Sequence, residues 1–295
     1  MKIVHVCSTS AISGANRYAF DLAAGQVALG HDVTVVTPEK PGDSLDLKPP
    51  EVKQVSYGGI YAVGLITTLM RMKADILHTH GGKAVKWLRI MPARPPVVSS
   101  LHIRFKANAM SHVDGVHALA DWQLDGVKGF RGPVRKVNNW TPRLKESPPG
   151  AAEARRAEAG ANPDTPLAVF LGRLDPVKGV DTLIRAFRQV ALPDARLAIV
   201  GEGSERAILE AMAAGDERIV FMGYSNAPAD WYRAADVLVM PSRREPFSLV
   251  CLEAMAYDAP LLVSDVDGFR EIFRDRPDNR YPEGDAEALA ARITA

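Results

Sequence analysis

The feature that most constrains this chain is an alternation that runs along its length and then starts again. A short apolar run is followed by a small-residue loop, an amphipathic stretch and another apolar run. Lys2–Cys7 reads as a buried strand. Ser8–Asn16 is a loop of small residues containing Gly14. Arg17–Leu29 sets Tyr18, Leu22, Val27 and Leu29 at helical spacing, and Gly30 is the natural stop. Asp32–Thr37 is the next strand, ended by Pro38. Later strands are predicted at Ile76–His80, Val97–Leu101, Gly115–Ala118 and Val134–Val137. The three prolines of Asn138–Gly150 mark a linker, and residues 151–159 a helix. The pattern then restarts: strand Leu167–Leu171, loop Gly172–Gly179, helix Val180–Val190 and strand Arg196–Val200. Strands follow at Arg218–Met222, Val237–Met240 and Pro260–Ser264. Alternating strands and helices force parallel sheets covered on both faces. The expected fold class is therefore α/β, with two tandem Rossmann-like, doubly wound domains. They are placed at 1–143 and 167–295, with a linker and helix over 144–166.

Length and composition fit that reading. The 295 residues give each half enough chain for its own core. Two cysteines, Cys7 and Cys251, argue against a disulfide scaffold and a Cys-based zinc site. The first residues are too short and too polar in continuation for a signal peptide. The longest nearly apolar run, Ile60–Met70, falls well short of the ~20 residues of a spanning helix. A cytoplasmic protein that does not cross a membrane is expected. The net charge of +1 hides an asymmetry: residues 1–150 hold 19 Lys and Arg against 11 Asp and Glu, and residues 151–295 hold 17 against 24. Lys178 is the only lysine of the second half, and all seven histidines lie between His5 and His117.

Ligands of doubly wound sheets sit at the carboxyl ends of the strands, so the loops there carry the chemistry. In Leu171–Gly179 a strand ends, Arg173 and Lys178 follow, and a helix begins. Cations above strand ends and beside a helix start suit a diphosphate, although a solvated loop has the same composition. In Pro241–Ala256 a strand ends near Met240, and a helix is expected to start near Phe247 or Ser248, with Pro246 well suited to that position. The amides of Phe247, Ser248 and Leu249 would then face outward between two carboxylates, Glu245 and Glu253. A plain amphipathic helix with a capping acid is the other reading.

The pattern Glu245–x7–Glu253 after PSRR, followed by EAMA, resembles the donor-site signature of retaining GT-B glycosyltransferases of family 4 (glycosyl transferases group 1). LGRLDPVKGVDTLIRAF is similar to that family's diphosphate loop and the helix after it. IVGEGSE at 199–205, FMGYSN at 221–226 and WYRAADVLVMPS at 231–242 resemble its remaining blocks in order. SGAN at 13–16, DILHTH at 75–80 and VVSSLH at 97–102 are fainter matches in the first half. The resemblance implies two domains facing across a cleft and a sugar nucleotide as co-substrate, with no cofactor and no metal. It implies that Arg173 and Lys178 bind the donor pyrophosphate and Glu245 the sugar hydroxyls. Glu253 would hold the ribose, and the amides of Phe247, Ser248 and Leu249 would orient sugar and phosphate. His102 would lie near the sugar and its departing phosphate, and Gly14 would let the first loop approach the phosphates. Gly201 belongs to the donor blocks, and Tyr224 reads equally as a stacking platform for a base or a rim tyrosine.

Some features depart from the family or stay ambiguous. Asp267 stands where the family has the first of two glycines. The crossover helix that usually ends the family fold is not expected within the chain. His78-Thr79-His80 has metal-like spacing, with His102, His112 and His117 as further candidates, but no acidic cluster accompanies it. Gly201-Glu202-Gly203 opens like a dinucleotide fingerprint but lacks the third glycine. Arg71–Lys106 holds eight Lys and Arg and one acid, Asp75. Lys83, Lys86, Trp87 and Arg89 can share a helix face there, which suits an anionic acceptor or membrane surface. No nucleic-acid motif accompanies the charge. The expected function is a metal-independent retaining glycosyltransferase acting on a glycan or lipid-linked acceptor in cell-envelope polysaccharide or lipopolysaccharide synthesis, peripheral on the inner face of the plasma membrane. Alternatives are a GT-B-fold sugar-nucleotide epimerase and an inactive sugar-nucleotide-binding partner subunit.

Overall fold

The computed structural model describes residues 1–9, 13–39, 48–110, 112–141 and 146–295. They fall into two compact units, Met1–Asn139 and Trp140–Ala295. The first has a seven-stranded parallel sheet: β1 (Lys2–Cys7), β2 (Asp32–Pro38), β3 (Lys53–Tyr57), β4 (Ile76–His80), β5 (Val97–Leu101), β6 (Gly115–Ala118) and β7 (Val134–Lys136). Their order is β3-β2-β1-β4-β5-β6-β7. The second has six strands: β8 (Leu167–Leu171), β9 (Arg196–Val200), β10 (Ile219–Gly223), β11 (Val237–Met240), β12 (Leu261–Ser264) and β13 (Arg280–Tyr281). They run β10-β9-β8-β11-β12-β13. Both sheets reverse direction of growth beside their first strand, which makes β1/β4 and β8/β11 the switch points where such sheets bind ligands.

Each sheet is buried on both faces, as continuous apolar strands require. Val4 and Val6 pack on one side of the first sheet, Ile3 and Cys7 on the other. Leu167 and Val169 divide from Ala168 and Phe170 in the second. The helix Gly14–Ala28 covers the Ile3 and Cys7 side with Ala19, Phe20 and Ala23. It begins at Gly14, three residues before the expected Arg17, because the Ser13 side chain caps it by accepting from Asn16 N. Residues 10–12 of the expected Ser8–Asn16 loop lie outside the described residues. No helix among the described residues is long and apolar enough to cross a membrane.

Candidate functional site

The loop after β8 is held by the loop after β11. A 3₁₀ turn, Pro176–Lys178, leads through Gly179 to the helix Val180–Phe187. Gly179 sits at φ +66°, and a Cβ there would stand 2.1 Å from the Pro241 carbonyl oxygen, so only glycine fits. Arg243 fastens the two loops: its amide donates to Val177 O at 2.8 Å. Its guanidinium donates to Pro176 O at 2.6 Å and Asp181 Oδ2 at 2.7 Å. Against this base Lys178 Nζ donates to Glu245 Oε2 at 2.6 Å, with the Glu245 side chain 9% exposed and Lys178 22%. Arg173, by contrast, is 61% exposed and pairs with Asp175 at 2.7 Å. Thus the structure pairs Lys178 and Glu245 with each other and leaves the Arg173 guanidinium largely open.

The helix after β11 spans Leu249–Ala256, starting one residue later than the latest expected position. Ser248 is its cap: the hydroxyl accepts from Cys251 N at 3.2 Å. The first-turn amides of Leu249 and Val250 have no preceding turn to bond. Glu253 lies inside this helix, buried, and accepts from the Tyr232 hydroxyl at 2.6 Å. Phe247 is buried beside the cap. Gly201 follows β9 at φ +143°, where a Cβ would stand 1.8 Å from Gly172 O; its part is to let the two strand-end loops touch. Tyr224 is 60% exposed beyond β10.

Asp267 opens the short helix Asp267–Ile272. The next residue, Gly268, donates its amide to Glu245 O at 3.1 Å. Asp265 and Asp267 stand at Asp-x-Asp spacing, a pattern that can hold a metal. Both carboxylates face arginines, Asp265 meeting Arg270 at 3.0 Å and Arg280 at 3.1 Å, and Asp267 meeting Arg270 at 3.5 Å. A recess of about 510 Å³ lies elsewhere in this unit, between Pro148–Gly150, Tyr232 and Tyr257, and none of the expected donor residues lines it.

In the amino-terminal unit the switch point is lined by imidazoles. Parallel pairing sets His5 beside His78 and Cys7 beside His80. His5 Nε2 meets Gln26 Oε1 at 2.7 Å and His5 Nδ1 meets His80 Nε2 at 2.9 Å. His80 Nδ1 continues to His102 Nε2 at 3.1 Å. A second branch joins His78 Nε2 to Ser100 Oγ at 2.8 Å, and Ser100 Oγ to His117 Nδ1 at 3.0 Å. His117 Nε2 donates to Val137 O at 3.1 Å. Burial disfavours charge on these rings. It pushes His5 down to about 4 and His102 to about 3, and it holds His78 and His80 well below the usual imidazole range. The spacing of His78 and His80 was visible in the sequence; the part of His5, Gln26, Tyr232 and Arg243 was not. Lys83, Lys86 and Arg89 are all exposed on and just after the helix Gly82–Leu88.

Residues 12–144 match the family described as Glycosyltransferase Family 4, and residues 165–295 match Glycosyl transferases group 1. Each half of the chain thus matches a glycosyltransferase domain family, on a fold of two tandem Rossmann-like sheets. Among individual relatives, the D-inositol 3-phosphate glycosyltransferase of Segniliparus rotundus is 39% identical over 139 residues, 43% of this chain. That alignment spans 31% of the relative, about a third of its length. The phosphatidyl-myo-inositol mannosyltransferase of Mycobacterium leprae is 27% identical across 100% of the chain and 87% of that protein. Anabaena Alr3699/HepE, solved in complex with UDP and glucose, superposes with a TM-score of 0.86. It is 20% identical, and the match covers 100% of this chain and 89% of that one.

Proposed function

We propose that this chain is a metal-independent, retaining glycosyltransferase that draws on a nucleoside-diphosphate sugar. The observation that carries the reading is the Lys178–Glu245 pair, 2.6 Å apart at the switch point of the second sheet. A departing nucleoside diphosphate gathers negative charge as the glycosidic bond breaks. Lys178, Arg173 and the amides at the start of Leu249–Ala256 are set to stabilise that charge more than the ground state. Glu245, released from Lys178, takes sugar hydroxyls, and Glu253, steadied by Tyr232, takes the ribose. Tyr224 and the Phe247–Leu249 turn border the nucleotide. His102 is the group that the amino-terminal unit offers to the transferred sugar, and Gly14 the close approach of its first loop. The departing phosphate oxygen takes the acceptor proton on the same face of the sugar, so retention needs no protein nucleophile. The UDP and glucose bound by the Anabaena protein support a UDP-sugar donor.

The acceptor side rests on charge. Lys83, Lys86 and Arg89 lie exposed within the basic interval Arg71–Lys106, and the two relatives carry an inositol phosphate and a phosphatidylinositol in their names. An anionic or lipid-linked acceptor, in cell-envelope glycan synthesis at the inner face of a membrane, fits both. Calorimetry with a panel of nucleoside-diphosphate sugars, followed by anomeric analysis of the product by NMR, tests the donor reading. Binding of a UDP-sugar, transfer with retained anomeric configuration and activity that survives a chelator are expected. No binding by any donor would sink it. Co-sedimentation tests the acceptor side: the triple reversal of Lys83, Lys86 and Arg89 to Glu should release the protein from anionic vesicles and leave donor affinity unchanged.

A further inference from the structure

Three histidines of the amino-terminal unit stand in single file, and the file starts on a side-chain amide. Gln26, on the helix Gly14–Ala28, presents Oε1 to His5 Nε2 at 2.7 Å. His5 Nδ1 faces His80 Nε2 at 2.9 Å, and His80 Nδ1 faces His102 Nε2 at 3.1 Å. A neutral imidazole has one N–H and one lone pair. All three rings are neutral near pH 7, because burial holds each far below it. The protons are then dictated one after another. The Gln26 carbonyl oxygen only accepts, so His5 carries its proton on Nε2. His5 Nδ1 is therefore a lone pair, and His80 must donate from Nε2. His80 Nδ1 is bare in turn, so His102 donates from Nε2. What remains is the lone pair of His102 Nδ1.

We infer that Gln26 is a positioning residue: through His5 and His80 it fixes the tautomer of His102, so that Nδ1 accepts a hydrogen bond from a substrate hydroxyl. This rests on the proposed placing of His102 at the transferred sugar. A phosphate oxygen, which has no proton to give, is no partner for that nitrogen; a sugar hydroxyl is. The second branch shows the alternative construction, since His117 is anchored on the main-chain carbonyl of Val137. The carbonyl of Val137, whose own amide is tied to Ala118 O at 3.0 Å, offers only an acceptor, whereas a glutamine amide can turn over. Turned by half a rotation, Gln26 would donate to His5, every proton in the file would change nitrogen, and His102 Nδ1 would become a donor. A shared metal is the competing use of these rings, because His5, His78 and His80 bring nitrogens within 4.8 Å of one another. Two nitrogens bound tetrahedrally to one zinc stand about 3.3 Å apart. His5 and His80 face each other at 2.9 Å, the spacing of one shared proton.

The test is made on the whole chain labelled with 15N-histidine, reading tautomers from two-bond proton–nitrogen correlations at neutral pH. His5, His80 and His102 should all appear as Nε2–H forms. Gln26→Leu removes the anchor and should leave His102 a mixture. Gln26→Lys, a side chain that only donates, should convert His102 to Nδ1–H. In both variants kcat should fall by about tenfold, the loss of one hydrogen bond to the sugar, while nucleoside-diphosphate affinity stays within about twofold because its proposed charged contacts, Lys178 and Arg173, lie in the other unit. An Nδ1–H form at His102 in the native protein would overturn the inference. So would tautomers that ignore both substitutions, tautomers that follow Gln26 with kcat unchanged, or loss of the shared-proton signals on adding one equivalent of zinc. A chain that bound no nucleoside diphosphate would overturn the donor reading instead, and the tautomers would still report on Gln26.

Discussion

The two units handle polar groups at the same topological position in opposite ways. At the β8/β11 switch point the second unit sets full charges against one another: Lys178 with Glu245, Arg173 with Asp175, Arg243 with Asp181. At the β1/β4 switch point the first unit sets neutral rings against one another, and the histidines of the chain are confined to residues 5–117. Paired charges can be exchanged for those of an incoming anion, which is the property the proposed diphosphate site requires. Neutral donors and acceptors in fixed tautomers cannot neutralise an anion, but they can tell one hydroxyl from another. One fold repeated twice thus presents two kinds of polar lining at the same topological position, and the substitutions that follow separate them.

Acid should part the units most completely. An unfolded histidine titrates near 6.5, while burial pushes folded His5 to about 4 and His102 to about 3. Above 6.5 both states are neutral and the stability is whole. As pH falls below 6.5 the unfolded chain gains protons first, so stability drops by roughly 1.4 kcal/mol per pH unit for each such histidine. For His5 the loss is complete at about 4. In the second unit, burial raises Asp181 but bonds from Arg243 and Arg185 outweigh it, and Arg218 lowers Asp216, so both lie below 3.8. Their contribution is lost only below that value. Hydrogen exchange followed by segment should show the amino-terminal sheet opening at about pH 5 with the second sheet still protected. Simultaneous opening would break the contrast.

Next in size is Lys178→Ala. It removes the ammonium paired with Glu245 and strands that carboxylate in a 9% exposed position. Nucleoside-diphosphate affinity should fall roughly hundredfold, and stability by about 1–3 kcal/mol. Adding Glu245→Gln should restore the stability and not the affinity. Recovery of both would mean that the pair is a structural lock alone.

The strands were legible because they are nearly continuous apolar runs buried on both faces. Lys2–Cys7, Ile76–His80, Val97–Leu101, Leu167–Leu171, Arg196–Val200 and Val237–Met240 run as their residues imply. Lys53–Tyr57 escaped notice because it is an edge strand whose Lys53, Val55 and Ser56 are exposed, and a polar edge guards a sheet against pairing. Arg280–Tyr281 is too short to leave a pattern. At the site, spacing along the chain pointed to Arg173, Lys178, Glu245 and Glu253. It could not point to their supports, which act across folds of the chain: Arg243 on Pro176, 67 residues away, and His5 on His80, 75 residues away. Strand order creates those neighbours, and no local window contains them.

Tyr232→Phe is a smaller step. It takes one donor from the buried Glu253 while leaving every charge in place. Nucleotide affinity should weaken by about threefold to tenfold, and free nucleoside, which has the ribose but no phosphate, should lose as much as the diphosphate. A loss confined to the diphosphate would move Glu253 from the ribose to the phosphates and redraw the second unit.

The smallest effect belongs to Ser248→Ala, and it decides what the helix start contributes. The Ser248 hydroxyl is spent on Cys251 N at 3.2 Å. Its loss should cost about 1 kcal/mol of stability in the second unit, the ordinary worth of a cap. The amides of Leu249 and Val250 keep their places when the side chain goes, because the buried Cys251 and Ala254 anchor the turn beneath them. Diphosphate affinity should therefore change by less than about threefold, within the reach of a frayed first turn. Melting curves and calorimetry on the same sample separate the two effects. An unchanged melting temperature with affinity lost tenfold or more would make the hydroxyl itself a ligand of the donor, and the charges of the second unit would then share their work with a neutral group after all.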